Sequence, residues 1–421
     1  MEKFMIAGVQ VNKQSLKSFL LSKKMLWAYL FLAFGLYGLY DVFSQRYFLL
    51  TANAHDAGIF PGSTEVAQAM KEAVFGDGGE VKREAPWSLY IVNYMYMLYT
   101  GSGIILLVSL AEVLHIDVIK KTATGFLAFG FAMVLGGLFT ISVDLNILHL
   151  QWLVLSPNIK AGMWLMLPLY AIYLPMVLLE LYLLLTKNKN FVKKVAFLVL
   201  TVGLVIEFTE YYIQAKLFDM NTARHLWTTY PILTLYFIIS SLAASAAVMI
   251  LYTFVTYKKK LGNDYSVLMH LLKEIALFSV VALGAYEATA YLFIDKKWGA
   301  IILFGDFKFY FFAYIVFAIG IPFVLIFRGQ TSDFLKVIAS VFLVIGTYIG
   351  RLIFVYGGNA YPMSDRFGVG FEKYGEYENI KDIIFFMPSI GEIAIVIGSV
   401  GVILFVYNLL DTFLSISKIS E

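Results

Sequence analysis

The chain contains no cysteine. Disulfides, thiolate zinc sites and cysteine-ligated iron–sulfur clusters are therefore excluded from it. Charge is scarce as well. Asp, Glu, Lys and Arg make up 14% of 421 residues and balance at only +3, too little to point to a nucleic-acid partner. Histidine occurs five times, as His55, His115, His149, His225 and His270, always at the ends of apolar runs or between them. Bis-histidine haem ligation, which needs paired ligands inside spans, finds none here. No Walker A sequence, GxSxG or HExxH occurs, so a self-contained enzyme and a metal site are not expected. No Pro/Gly/Ser-rich linker divides the chain into separate soluble domains.

What is abundant is apolar. Hydrophobic residues reach 60% and aromatics 17%, including 37 Phe and 28 Tyr, and the mean hydropathy is +0.78. A soluble domain is nearer half apolar and a quarter charged, and its surface could not accommodate this excess. Lipid is the natural solvent for it. Apolar runs long enough to cross the hydrocarbon core lie at about 25–43, 87–114, 122–147, 163–185, 195–215, 231–257, 275–294, 309–327, 335–356 and 388–414. They are continuous and do not alternate, so helices fit and barrel strands do not. The expectation is an all-α integral membrane protein of about ten transmembrane helices, a single membrane domain over 1–421. The first run follows Lys3, Lys13, Lys17, Lys23 and Lys24 and lacks a small-residue cleavage site, so it reads as a retained helix.

Orientation follows from the basic residues of the short connections. With the N-terminus inside, Lys120 and Lys121, then Lys187, Lys189, Lys193 and Lys194, then Lys258, Lys259, Lys260 and Lys273, then Arg328 and Lys336 fall on the same side, as does Lys418. The positive-inside rule then puts both termini in the cytoplasm, in the inner membrane of a prokaryote. Two long outer loops are expected, 44–86 and 357–387, a polar platform for a docking partner.

Ionisable groups inside spans are costly and normally face the bundle interior. An outer tier holds Asp41, Asn93, Asp144, Glu210, Glu287, Arg351 and Glu392, with His149, Arg224 and His225 just beyond it. An inner tier holds Glu112, Glu180 and Glu274. Glu207 lies between, three residues from Glu210 and on the same helix face. One reading is an outer polar pocket connected inward by protonatable groups. The alternative for Asp41, Glu112, Glu274 and Glu392 is contact with headgroups, and for Arg351 a structural ion pair. Gly101, Ser102, Gly103, Gly136, Gly137 and the run Ser240, Ser241, Ala243, Ala244, Ser245, Ala246 suit close helix packing.

Several short motifs, in order, resemble a known family. Pro86-Trp87-Ser88-Leu89-Tyr90-Ile91-Val92-Asn93-Tyr94 with Thr100-Gly101-Ser102-Gly103, then Gly136-Gly137-Leu138-Phe139, Val143-Asp144-Leu145 and Ser156-Pro157-Asn158, then Ala223-Arg224-His225-Leu226-Trp227, are similar to the NrfD, or polysulfide-reductase membrane-subunit, family. Gly350-Arg351-Leu352 and Phe386-Met387-Pro388-Ser389-Ile390-Gly391-Glu392-Ile393 resemble the end of its longer, ten-helix branch, found in periplasmic hydrogenases, alternative complex III and sulfate-reducer electron-transfer complexes.

The resemblance implies two four-helix bundles, 87–215 and 231–356, with flanking helices. It implies a quinone, of menaquinone type, bound near the outer face, with no haem, metal or cluster in this chain. A ferredoxin-like iron–sulfur subunit would dock outside, followed by a molybdopterin enzyme, a hydrogenase or a multihaem cytochrome. Tyr90, Asn93, Tyr94 and Asp144 map to the quinone pocket, and His149, Arg224 and His225 lie nearby. Glu112, Glu180, Glu207, Glu210, Glu274 and Glu287 form the candidate proton path, with Arg351 and Glu392 as pocket or structural charges. The family's Asp-Leu-Gly-Arg-Pro departs here, since Asp144-Leu145 is followed by Asn146-Ile147-Leu148. Two other functions stay open: a proton-coupled secondary transporter, with Pro168 and Pro322 breaking helices, and a structural anchor with a degenerate pocket.

Overall fold

A computed structural model of the chain describes residues 4–6, 9–11, 13–56, 87–155, 157–160, 162–185, 189–220, 225–230, 232–293, 302–303, 305, 307–328, 332–359 and 388–417. It opens with a short antiparallel hairpin, Phe4–Ile6 with Val9–Val11, and a short helix α1 (Lys13–Leu20). Ten long helices follow among the described residues: α2 (Met25–Asp56), α3 (Leu89–Val113), α5 (Ala123–Leu155), α6 (Gly162–Leu185), α7 (Lys189–Asp219), α9 (Leu233–Thr256), α10 (Asn263–Phe293), α11 (Lys308–Arg328), α12 (Asp333–Asn359) and α13 (Ile390–Leu414). The one-turn helices α4 (Asp117–Lys120) and α8 (His225–Thr229) lie in connections. Nine of the ten satisfy length and hydropathy for a membrane crossing. The tenth, α7, is 31 residues long and carries Glu207 and Glu210. The chain is a multi-pass, all-α membrane protein.

The helices overrun the apolar runs at several ends. α2 continues to Asp56 and α12 to Asn359, so the expected loops 44–86 and 357–387 begin as helix; 57–86 and 360–387 lie outside the described residues. α10 begins at Asn263, not near 275, and takes in Lys273 and Glu274, which pair at 2.7 Å. α5 runs on to Leu155. Without Gly and Pro after Leu145, nothing in the sequence stops it there.

α3, α5, α6 and α7 pack on one another, as do α9, α10, α11 and α12. The two groups meet where α9 lies against α3 and α7, and α12 against α3. α2 and α13 form a separate pair that covers α5. In that pair Gly35 faces Gly398, and a Cβ on Gly401 would stand 2.6 Å from the Leu32 backbone nitrogen. Glycine here brings two backbones into van der Waals contact, the packing mode that lipid favours.

The prolines do not break their helices. α6 runs through Pro168 and Pro175. α11 passes Pro322 by widening into a π-turn, Ile315–Gly320, just before it. A proline ring clashes with the carbonyl four residues earlier, here that of Ala318, and a π-turn relieves the clash. α12 settles onto this wide turn at Gly346, whose added Cβ would collide with the backbone of Phe317 and Ala318. Backbone cannot rotate aside as a side chain can. Gly346→Ala is therefore expected to destabilise the protein by about 1–3 kcal/mol, read as a lowered thermal unfolding midpoint in detergent. An unchanged midpoint would mean that α11 and α12 part at little cost.

Candidate functional site

A cavity of about 410 Å³ opens among α3, α5, α6 and α7, near the end where α3 begins and α5 ends. Its walls are mostly apolar, including Trp87, Ile91, Met95, Leu138, Ile141, Met166, Leu174, Leu217 and Phe218. Its polar groups are few: Tyr94, Asp144, Tyr170, Gln214 and Ser142. Ser88 caps α3, its side chain accepting from the Tyr90 N–H at 3.3 Å, and so sets the register that turns Trp87, Ile91, Tyr94 and Met95 to the cavity. These four recur at helical spacing.

From the polar end a line of hydrogen bonds runs into the helices. The Gln214 side-chain N–H donates to the Tyr94 hydroxyl. Tyr94 and Tyr170 hydroxyls stand 3.0 Å apart, and Tyr170 donates to Glu210 Oε1 at 3.1 Å. Ser102 donates to Glu210 Oε2 at 3.2 Å. The Tyr173 hydroxyl lies 3.3 Å from both Ser102 Oγ and Glu207 Oε1. Glu207 Oε2 is buried without a hydrogen bond among the described residues. Glu180 is within electrostatic reach of Glu207, and Glu112 of Glu180. Ser109 donates to Glu180 at 3.2 Å. At the far end Glu112 stands 3.9 Å from Lys120, which is 3.0 Å from His115.

The line exists because three helices each turn one polar row inward. On α6 the row is Tyr170, Tyr173 and Glu180; on α7 it is Glu207, Glu210 and Gln214; on α3 it is Tyr94, Ser102 and Ser109. Spacings of three, four, seven and eight keep each row on one face. Direction is partly dictated by chemistry. An amide N–H only donates, so Tyr94 accepts from Gln214, and with Tyr170 donating to Glu210 the two tyrosine hydroxyls align into one donor chain.

The expected site residues are thus divided. Tyr94 and Asp144 line the cavity, Glu210 and Glu207 join the hydrogen-bonded line, and Glu180, bonded to Ser109, and Glu112, near Lys120, lie beyond its end. Tyr90 turns away and packs with Val42, Val143 and Ile395. Asn93 donates to Ser399 of α13 at 3.0 Å. Glu274 pairs with Lys273 and is 47% exposed, off the line. Glu392 closes a capping box with Ser389 at the start of α13. Arg224 and the side chains of His149 and His225 lie outside the described residues. Tyr170, Tyr173, Gln214, Ser102 and Ser109 join the network without having been singled out as site residues. Their signal was the spacing to Glu180, to Glu210 and to Tyr94.

Glu287 belongs to the other helix group. Tyr314 donates to it at 2.7 Å, and Gly350 leaves room for the Tyr314 ring. Arg351 beside it has no ion-pair partner among the described residues. Its guanidinium sits 4.8–5.0 Å from the rings of Tyr99, Tyr236 and Phe237 and donates to Ser240 at 2.5 Å. Aromatic faces here provide the electrostatic attraction that an acid would otherwise supply.

At the Trp87 end of the cavity, Trp87 stacks on Trp227 at 5.0 Å, and Phe218 and Phe354 meet Trp227. Trp227 donates to the Phe354 carbonyl at 2.8 Å, and Asn359 to that of Trp87 at 2.7 Å. This aromatic block ties the two helix groups together beside the cavity. No group of three or more histidines and carboxylates suited to a metal occurs among the described residues.

The family model for polysulphide reductase NrfD matches residues 79–362, which span α3 through α12. The α2–α13 pair stands outside the match. No curated protein matches the chain.

Proposed function

The chain belongs to the NrfD polysulphide-reductase family, and from that premise we propose that it is the quinone-reactive membrane subunit of a multisubunit respiratory oxidoreductase. Members of this family are generally quinone-interacting membrane anchors, associated with iron–sulfur and molybdopterin catalytic subunits. The observation that carries the proposal is the cavity: an apolar slot whose few polar groups continue into a line of buried acids. Its volume suits a small-molecule ligand.

A quinone needs two electrons and two protons to become quinol. In this reading the Tyr94 O–H turns from Tyr170 to donate to one carbonyl oxygen of the head, while Tyr170 stays bonded to Glu210, and Asp144 exchanges a proton at the other. Carboxyl groups within hydrogen-bond reach of a reacting oxygen are the usual general acids and bases. Glu210, Glu207, Glu180 and Glu112 then carry protons towards the Lys120 end, as carboxylate series do in other membrane proteins. Positive-inside orientation puts the Lys120 end in the cytoplasm and the Trp87 end outside. The electron partner, a ferredoxin-like subunit, docks at the Trp87 end, and a menaquinone-type quinone is the substrate. With protons released towards the cytoplasmic Lys120 end and electrons leaving to the partner at the Trp87 end, quinol oxidation would move charge across the membrane.

Purification in mild detergent, with mass spectrometry of bound subunits and extracted quinone, is the direct test. A cluster-bearing subunit together with quinone is the expected result. A lone chain without quinone would favour a transporter, and a partner without quinone would favour a purely structural anchor.

A further inference from the structure

The cavity has a second side. Away from Tyr94 and Gln214 its wall is made by Leu138, Ile141 and Ser142 of α5 and by Leu167, Ala171 and Leu174 of α6. Ser142, Leu167 and Ala171 are exposed, Leu167 by 36%. All three lie within membrane-crossing segments, Ala123–Asp144 and Trp164–Leu185. What they are exposed to is therefore lipid, so the cavity communicates sideways with the bilayer between α5 and α6.

Local chemistry keeps that seam open. α5 packs chiefly on α3 and α13, leaving α6 to lie mainly against α7. Ser142 and Ala171 are small and leave width at the rim. Pro168 and Pro175 lack the N–H groups that would bind the carbonyls of Trp164 and Ala171. The α6 backbone beside the rim is therefore less tightly braced than an unbroken helix.

We propose that the α5–α6 seam is a lateral portal, in which the prenyl tail of the quinone leaves the cavity for the bilayer while its ring stays at Tyr94, Tyr170 and Gln214, and that Ser142 and Ala171 set the width of that portal. The proposal rests on the quinone reading above. A cavity of about 410 Å³ accommodates a two-ring head and the start of its tail; the remaining prenyl units of a membrane quinone must lie elsewhere. Deep polar groups with an apolar exit at membrane depth match a ligand that is polar at one end and long and apolar at the other. Portal residues therefore discriminate by tail and not by head chemistry.

The test uses the intact complex in proteoliposomes and two quinols, long-tailed menaquinol and tail-less menadiol. Ala171→Trp and, independently, Ser142→Phe are compared with Ile172→Trp, a residue 53% exposed on the lipid face of α6 outside the cavity lining. Assembly is checked by size-exclusion chromatography. Both rim variants are expected to lower the ratio of menaquinol to menadiol activity by about tenfold or more, since apolar tail contacts are lost. Ile172→Trp is expected to leave the ratio as in the wild type. An unchanged ratio in both assembled rim variants, whether total activity falls or not, overturns the portal. A wild-type complex that oxidises neither quinol overturns the quinone reading itself, a different result from an unchanged ratio.

Discussion

Asp144→Asn is expected to leave the complex assembled and to lower quinol oxidation by about a hundredfold or more, the usual contribution of a positioned proton acceptor. Asp144 is half-buried near the end of the membrane-crossing part of α5 and lines the cavity opposite the tyrosines. Asparagine keeps its size and much of its hydrogen bonding but cannot take a proton at neutral pH. The substitution thus separates shape from protonation. Steady-state quinol oxidation by the purified complex, with subunit composition checked on the same sample, measures it. Activity near the wild-type level would remove Asp144 from the proton chemistry and leave the Tyr94–Tyr170 pair as the exit for both protons.

Glu210→Gln is the second large effect. Glu210 is fully buried and accepts from Tyr170 on one oxygen and from Ser102 on the other. Glutamine can keep both bonds, its oxygen accepting from Tyr170 and its NH₂ donating to the Ser102 hydroxyl, but it cannot take up or release a proton, so the chain from Gln214 through Tyr94 and Tyr170 loses its proton carrier. Turnover coupled to proton movement is expected to fall by about a hundredfold. Folding is not expected to suffer, because exchanging a buried acid for a neutral amide also relieves the cost of burying charge. The paired measurement is turnover and proton uptake in proteoliposomes beside a thermal melt of the same variant. Wild-type turnover with wild-type proton uptake would put the proton route elsewhere, with Glu287 the next acid to examine. A lowered melting point with proportionate loss of activity would make Glu210 a structural residue.

The site was only partly readable before the helices were assembled. The acids at 207 and 210 share a helix face by spacing alone, and the two were expected to lie together. Their connection to Tyr170 and Tyr173 was not evident, because tyrosine is abundant throughout the chain and only packing distinguishes a ring that meets a carboxylate from one that meets lipid. Glu180 and Glu274 both belong to the inner tier of acids, with headgroup contact an alternative for Glu274. Assembly buried Glu180 against Ser109 and left Glu274 beside Lys273 at the surface. Glu392 resembled a pocket acid, yet it caps the helix that it begins.

Tyr90 and Asn93 show the limit most directly. α3 is buried on nearly every side, so it has no polar face to reveal which way it turns, and hydrophobic periodicity cannot orient it. Trp87, Ile91, Tyr94 and Met95 meet the cavity, whereas Tyr90 and Asn93, one position around the helix, meet α2, α5 and α13.

By itself the sequence determined that this protein lives in lipid, that it crosses as helices, about how many there are, and that it is similar to the NrfD family. Those properties follow from run length and hydropathy, which are local, and from motif order, which is linear. The tertiary structure alone decided which acids join one hydrogen-bonded line, that Arg351 is enclosed by aromatic rings, and that the cavity opens between α5 and α6. Each depends on which faces of separate helices meet. In a bilayer, where lipid tails are as apolar as the side chains they touch, small residues and hydrogen bonds select those faces, and no hydrophobic stripe announces them in advance.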